Sequence, residues 1–529
     1  MTRKVLYHYA YQRSRDQDAK APARHPVVVV GAGPVGLTAA IDLALHDIPV
    51  VLLDDADRIG EGSRGICYAK RTLEIWDRLG VGERMVARGV TWKLGKVFLG
   101  NDMVYSFDLL PEDGHKMPAF INLQQFYVEK DLVDRANEID AIDLRWKNKV
   151  VGLQRRNDGV RLSIDTPDGR YDLDADWVIA ADGARSTLRD LLGLTFKGLT
   201  FEDKFLIADV RMASDLPTER RFWFDPPFHN GQSALMHRQP DDIWRVDLQL
   251  GPDADSEAEQ KPDRVIPRLE RALGGRPFEL EWVSIYRFNC RRLDRFLHDR
   301  VIFVGDAAHQ VSPFGARGAN SGVQDAENLA WKLAAVLKGE AGPTLLESYD
   351  LERMQAADEN IGHSTRSTDF IAPRSSAERE LRNAVLSLAP KAEFARRMVN
   401  SGRLSVATTY TSPLTTPDSD AFAGSARLGA PVPDAPLRGE DGEGFLIERL
   451  PGAFTVITVQ NGTRPQPPAG AQLIVIGEDL HDEAGIFAKR FDATPGATYV
   501  LRPDQHLTAR FRHYDAATVQ GAITRALGS

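Results

Sequence analysis

Three glycines at G-x-G-x-x-G spacing, Gly31, Gly33 and Gly36, follow directly on the apolar run Val27 to Val30. This placement restricts the fold more than anything else in the chain. A short β-branched run with no polar position suits a parallel strand buried on both faces. Gly31 permits the tight turn after it, Gly33 lets the backbone approach a diphosphate, and Gly36 lets the next helix lie close on the strand. That helix is expected from Val35 into Leu45, with Leu37, Ile41 and Ala44 on its buried side. Its N-terminal amides, preceded by Pro34, favour an anion. A second apolar run, 50–53, ends at Asp54, about 20 residues beyond the glycines, where a ribose hydroxyl needs an acceptor. Asp55, one position on, is the alternative. Strand, turn, helix, strand and acid together predict a Rossmann-type dinucleotide-binding unit in an α/β chain.

A second glycine-bearing segment closes another apolar run, Val301 to Val304. It reads Gly305-Asp306-Ala307-Ala308-His309, then Pro313-Phe314-Gly315-Ala316-Arg317-Gly318-Ala319-Asn320. Beyond it Ala326, Leu329, Ala330, Leu333, Val336 and Leu337 recur at helical spacing, while Asp325, Glu327 and Lys332 fall off that stripe. Asn320 or Ser321 is the expected cap. Asp306 suits a hydrogen bond from a ribityl hydroxyl. The amides near Gly318 and Asn320, at a positive dipole end, suit an electron-rich ring that becomes anionic on reduction. Between the two segments lies Ala180 to Arg189, with Asp182-Gly183 inside it.

In this order the segments resemble the motifs of the flavin-dependent aromatic hydroxylases, the single-component class A flavoprotein monooxygenases. The glycine fingerprint matches. Ala180 to Arg189 is similar to the central motif of that family, which contacts FAD and the nicotinamide. Gly305 to His309, with Pro313, Gly315, Gly318, Asn320, Gly322 and Asp325, is similar to its C-terminal flavin motif. Ser63-Arg64-Gly65, before Arg71 to Glu74, resembles the segment whose arginine lies near the flavin. Gln125, four residues before Glu129, resembles the glutamine at the ribityl or pyrophosphate region. The likeness covers roughly residues 26 to 375. Ala316 and Arg317 depart from it, standing where relatives often carry glycine and glutamine.

The resemblance implies that FAD is held by Gly31, Gly33, Pro34, Val35, Gly36, Asp54 or Asp55, Arg64, Gln125, Asp182, Gly305, Asp306, Pro313, Gly318, Ala319 and Asn320. It implies a cycle in which NAD(P)H reduces FAD, the reduced flavin traps dioxygen as a C4a-hydroperoxide, and the distal oxygen attacks a phenolic ring with water excluded. Phenylpropionates, simple phenols and polyketide-type phenols are the implied substrate classes. The Arg64 guanidinium would stabilise negative charge on the flavin peroxide. A single dinucleotide fingerprint is present, so the nicotinamide is expected to bind transiently in a groove, NADH and NADPH both remaining open. His229, His237, Tyr127 and Tyr286 are conceivable helpers, but no general base declares itself and no catalytic residue is assigned. Other flavin enzymes of this architecture, of prenyl-chain reductase or halogenase type, are the alternatives, together with a non-catalytic flavin-binding protein. The halogenase element Trp-x-Trp-x-Ile-Pro is not found among the 8 tryptophans.

Composition narrows the rest. The 66 basic and 75 acidic residues give a net charge of −9, against a nucleic-acid partner. No apolar run reaches membrane-spanning length, and no metal site is expected. Cys67 and Cys290, far apart, suit a reducing cytoplasm. The expected organisation is an N-terminal extension (1–25) and a discontinuous FAD-binding domain (26–200 and 289–404). An antiparallel substrate-binding sheet (201–288, with part of 95–120) is inserted in it. A Thr-, Ser- and Pro-rich linker (405–436) and a thioredoxin-like C-terminal domain (437–529) follow. Phe222, Trp223, Phe224 and Phe228 either line an aromatic pocket or fill core. The tail lacks Cys-x-x-Cys, so it is expected to be structural or to form a homodimer contact rather than to do redox work.

Overall fold

The computed structural model describes residues 7–60, 65–229, 231–399 and 404–529. The first apolar run lies in the strand Ala23–Val30, whose Val27, Val28 and Val29 are fully buried. This strand is central to a parallel sheet ordered Val301–Phe303, Gly169–Ala180, Ala23–Val30, Val50–Leu53 and Ile142–Arg145. Val28 pairs with Val178 on one side and Val51 on the other. Such a run needs cover above and below. The helices Pro34–Leu45, Gln125–Asn137 and Gly318–Leu337 share its core through Leu37, Ile41, Val128, Leu132, Val323 and Leu329. The sheet begins at Ala23, so residues 23–25 belong to it rather than to the extension. The extension is tied down before that point: Tyr9 stacks on Trp146 with ring centroids 4.5 Å apart, and Asp16 accepts from Arg145 at 2.6 Å.

A second sheet has eight strands, ordered His309–Gln310, Glu279–Arg292, Lys197–Arg211, Ile243–Leu250, Ala234–Arg238, Arg220–Phe224, Leu94–Leu99 and Asp102–Asp108. The strands Lys197–Arg211 and Glu279–Arg292 carry the chain out to this sheet and back. Arg291 and Arg292 pair with Gln310 and His309, stitching one edge to the Gly305 segment. Both faces are covered. Trp244, Val246 and Leu248 meet Val265 and Leu269 of the helix Pro262–Ala272. On the inner face Phe205, Phe222, Phe224 and Phe288 meet Phe314 and Ile371. Period-two alternation therefore divides the three aromatics of the strand Arg220–Phe224. Phe222 and Phe224 fill the inner core, while Trp223 stacks on Phe98 at 5.3 Å and meets Phe228 at 5.7 Å on the outer side. They do not line one pocket.

The tail carries a four-stranded sheet ordered Gln472–Ile476, Thr455–Val459, Thr498–Leu501 and Leu507–Phe511, with its first pair parallel. The stretch expected as a linker is a packed strap instead. Tyr410, Leu414, Ala426, Val432 and Ala435 are buried in it. Its amides bond to the tail's backbone, Thr416 to Thr508 at 2.8 Å and Val432 to Gln505 at 2.9 Å. Without internal secondary structure, these groups find partners in a neighbouring segment. Among the described residues no helix is long and apolar enough to cross a membrane.

A buried ionic network joins the tail to the helices behind the glycine turns. Glu352 accepts from Lys332 at 2.8 Å and from Arg502 at 2.6 Å, and Arg502 also meets Asp504 at 2.6 Å. Arg71 pairs with Glu327 and Arg78 with Asp42, both at 2.8 Å. Removing one member leaves uncompensated charge inside. Glu352→Ala is expected to cost about 3–5 kcal/mol of unfolding free energy, the range for breaking a buried pair. Urea denaturation checks this, and a loss below about 1 kcal/mol would show that the network is dispensable.

Candidate active site

The first glycine turn separates what the protein needs from what it leaves open. Gly31 has φ 107°, and a Cβ there would stand 2.5 Å from the Ala181 carbonyl oxygen. A Cβ on Gly36 would stand 1.9 Å from the Gly31 carbonyl oxygen. Both glycines are required by the packing itself. At Gly33 a Cβ would meet no protein atom within 4 Å, and Gly33 starts the helix Pro34–Leu45 without a capping side chain. Bare helix amides and an approachable backbone form an anion cradle. Asp54 braces this turn: its Oδ2 accepts from the Ala32 amide at 2.6 Å and its Oδ1 from the Ala56 amide at 2.9 Å. Burial pushes its carboxyl up to about 6 against those two amides. Each oxygen keeps a further acceptor position. Asp55 beside it is exposed.

The second segment is built around Asp325, which is fully buried. It accepts from the Gly305 amide at 2.9 Å, His309 Nε2 at 2.7 Å and Arg353 Nε at 2.6 Å. Gly305 has φ 58°. Asp306, next to it, is exposed to water although protein packs closely around it. Desolvation lifts its carboxyl above the ordinary range, His309 opposes this and Asp325 adds to it. A Cβ built on Gly318 would lie 4.0 Å from Asp306 Oδ1, so the acid sits beside the start of the helix Gly318–Leu337.

Neither Asn320 nor Ser321 caps that helix, because both lie inside its first turn. The Asn320 side chain works sideways, accepting from the Ala69 amide at 2.8 Å and donating to the Cys67 carbonyl at 2.9 Å. The helix start therefore has no side-chain cap, like that at Gly33. Pro313 is exposed, and its carbonyl accepts from the Ala316 amide at 3.0 Å. Ala316 holds φ 52°, a left-handed value that favours glycine. The two segments meet closely at Val35. Cβ atoms built on Gly305 and Gly322 would come within 3.1 Å and 2.6 Å of Val35 Cγ2.

In the central motif, Asp182 Oδ2 accepts from the Leu188 amide at 3.0 Å, while its Oδ1 is buried without a hydrogen-bond partner. Gln125 and Glu129 hold the chain on either side of residues 61–64. Gln125 Oε1 accepts from the Gly65 amide at 2.9 Å, and Glu129 Oε2 accepts from the Gly60 amide at 2.5 Å. Arg64 lies outside the described residues.

Facing the helix start at Gly318 is the inner face of the second sheet, reached through Cys67 and Asn122. Cys67 Sγ donates to Asn122 Oδ1 at 3.2 Å, Trp92 Nε1 donates to the same oxygen at 2.8 Å, and His237 meets the Trp92 ring edge-on at 6.0 Å. Of the conceivable helpers, His229 bonds the Gln249 carbonyl at 2.7 Å and Tyr127 bonds Asp241 at 2.8 Å, both away from this face. Tyr286 stands beside Phe205 in the sheet. The sequence reading missed Arg220, the Arg245–Asp209 pair and Asp247. A signal existed: in Ile243–Leu250, Arg245, Asp247 and Gln249 alternate with Trp244, Val246 and Leu248.

The FAD binding domain family matches residues 24–364. A flavin-dependent monooxygenase of Mycobacteroides abscessus is 30% identical over 504 residues, covering 91% of this chain and 96% of the relative. A para-nitrophenol 4-monooxygenase of a Pseudomonas species is 30% identical over 344 residues, covering 62% of this chain and 82% of the relative. The crystal structure of the flavin-dependent monooxygenase PieE in complex with FAD and substrate superposes with a TM-score of 0.80 at 23% identity, covering 96% of this chain and all of that one. The residues present fit FAD: an uncapped helix start beside a bare Gly33, a second beside Asp306, and a free acceptor on Asp182. Gly33→Val is expected to fold as wild type and lose FAD, whereas Gly36→Val fails to fold. Asp306→Ala keeps its fold and loses FAD affinity. Flavin absorbance after desalting, with melting curves, checks all three; full FAD occupancy in Gly33→Val at dilute cofactor contradicts the cradle.

Proposed function

Because this chain belongs to the FAD binding domain family of flavin-dependent monooxygenases, we propose that it hydroxylates a phenolic ring with NAD(P)H and dioxygen. The observation that carries this reading is the polar inner face of the second sheet, set opposite the Gly318 helix start and linked to it through Cys67 and Asn320. When bound, FAD supplies hydride acceptance and oxygen activation. The protein supplies binding, orientation and dryness. Gly33, Pro34 and Val35 would hold the diphosphate, Asp54 or Asp55 the adenosine ribose, and Asp306 a ribityl hydroxyl. The amides of Gly318, Ala319 and Asn320 would hold the ring end, with Asp182 and Gln125 offering further polar contacts. Phe205, Phe288 and Phe314, with centroids 4.8 to 5.2 Å apart, close one side against water.

The relative named for para-nitrophenol supports a phenol as the substrate class. A prenyl chain is disfavoured on chemistry, since Arg245, Asp247 and His237 would lie against it. We read the tail as thioredoxin-like in element order but structural or dimer-forming in role, with both cysteines outside it and free, as suits the cytoplasm. The test is NAD(P)H oxidation by the holoenzyme with a panel of phenols under labelled dioxygen. One or more phenols should accelerate oxidation and gain one labelled oxygen atom. An FAD-loaded enzyme that no phenol stimulates, with no labelled product, overturns the reading.

A further inference from the structure

The strand Ile243–Leu250 turns Arg245 and Asp247 to the inner face of the sheet, between Asp209 and Ile207 on one neighbour and His237 and Leu235 on the other. Arg245 is held by Asp209 at 2.8 and 3.0 Å. Asp247 has no such arrangement: its Oδ1 is buried and accepts no hydrogen bond. A buried carboxylate oxygen without a donor is unfavourable unless something else supplies one. The charged and titratable groups facing it are Arg245 on its own strand, Asp209 and Arg220 on other strands, and Cys67 from the strand Cys67–Ala69. The carbonyl of Cys67 is bonded to Asn320, so this carboxylate lies against the part of the site next to the flavin-ring end. His237, the other base on this face, also has a buried and unpartnered Nδ1.

Resting on the hydroxylase reading above, we propose that Asp247 is the general base, its Oδ1 accepting first the hydrogen bond and then the proton of the substrate's ring hydroxyl. The phenol O–H bond breaks, the proton moves to Oδ1, and the electron pair stays on the ring oxygen. The carboxylate becomes a neutral carboxyl, and the phenolate's charge spreads to the ring carbons ortho and para to it, where an electrophilic oxygen adds. Arg220 and Arg245 stabilise the new anion. Electrostatics decides between the two candidate bases. Burial, with Arg220 and Arg245 nearby, holds the His237 imidazole well below its usual range, so it stays neutral and orients rather than takes the proton. Burial pushes the Asp247 carboxyl up to about 7 against the pull of Arg245, which suits proton transfer near neutrality. The base works as the carboxylate, so turnover rises as pH climbs through about 7.

The test uses Asp247→Asn and Asp247→Glu in the FAD-loaded full chain, with a weakly acidic phenol and with para-nitrophenol, which ionises readily by itself. Asp247→Asn should lower kcat/KM for the weakly acidic phenol by about 100-fold or more and abolish the limb near neutral pH. It should lose much less with para-nitrophenol, and Asp247→Glu should restore the limb. Wild-type kcat/KM and pH profile in Asp247→Asn overturn the assignment. Equal losses on both phenols also overturn it, by showing a structural role. Absorbance of para-nitrophenol bound to the oxidised enzyme reads its ionisation without turnover. Should wild type turn over no phenol, the hydroxylase reading falls separately, and this signal, lower in Asp247→Asn or unchanged, still decides the role of Asp247.

Discussion

Val35 fits against Gly305 and Gly322, and this fit governs how closely the two glycine turns approach each other. It presses the start of one helix into a notch formed by the end of a strand and the first turn of another helix. Any larger side chain at either glycine would push the two apart. Because interiors are close-packed, this contact, with the shared core of Leu37, Ile41, Val323 and Leu329, sets the separation of two uncapped helix starts. One follows Gly33 and the other follows Arg317. Two positive dipole ends are held at a fixed distance with no protein carboxylate capping either, an arrangement that suits one long ligand with a charged middle and an electron-rich end.

Behind that notch the structure is stiffened by charge. Asp325 gathers the Gly305 amide, His309 and Arg353, and Arg353 reaches on to the Tyr410 hydroxyl at 2.6 Å. Tyr410 stacks on His506 with ring centroids 4.8 Å apart. The strap and tail are thus coupled to the same carboxylate that orients the turn before Asp306. This gives the tail a physical role: it closes the far side of the helices that carry the two glycine turns.

What was legible in the sequence was what local geometry demands. The Gly31–Gly36 turn requires specific backbone angles and close approaches, so its glycines announce it. The long helix after Gly318 was readable from its apolar period. Asn320 does not cap its helix because its side chain accepts from the Ala69 amide, 251 residues away, and donates to the Ala316 carbonyl that precedes the helix. The strap reads as a linker because Thr, Ser and Pro report a lack of internal structure and say nothing of partners elsewhere. The polar face with Asp247 was overlooked for a similar reason. Alternation shows that a strand has two faces, but only the packing of helix Pro262–Ala272 on one of them shows which face looks inward.

One FAD that spans the two uncapped helix starts has to engage both at once. Calorimetric titration of cofactor-free protein with ADP, FMN and FAD tests it most directly. Each fragment should bind weakly, ADP should compete with FAD, and FAD should bind at least ~100-fold tighter than either fragment through linkage of two sites. FMN binding as tightly as FAD would mean that the Gly33 turn contributes nothing and would contradict the account.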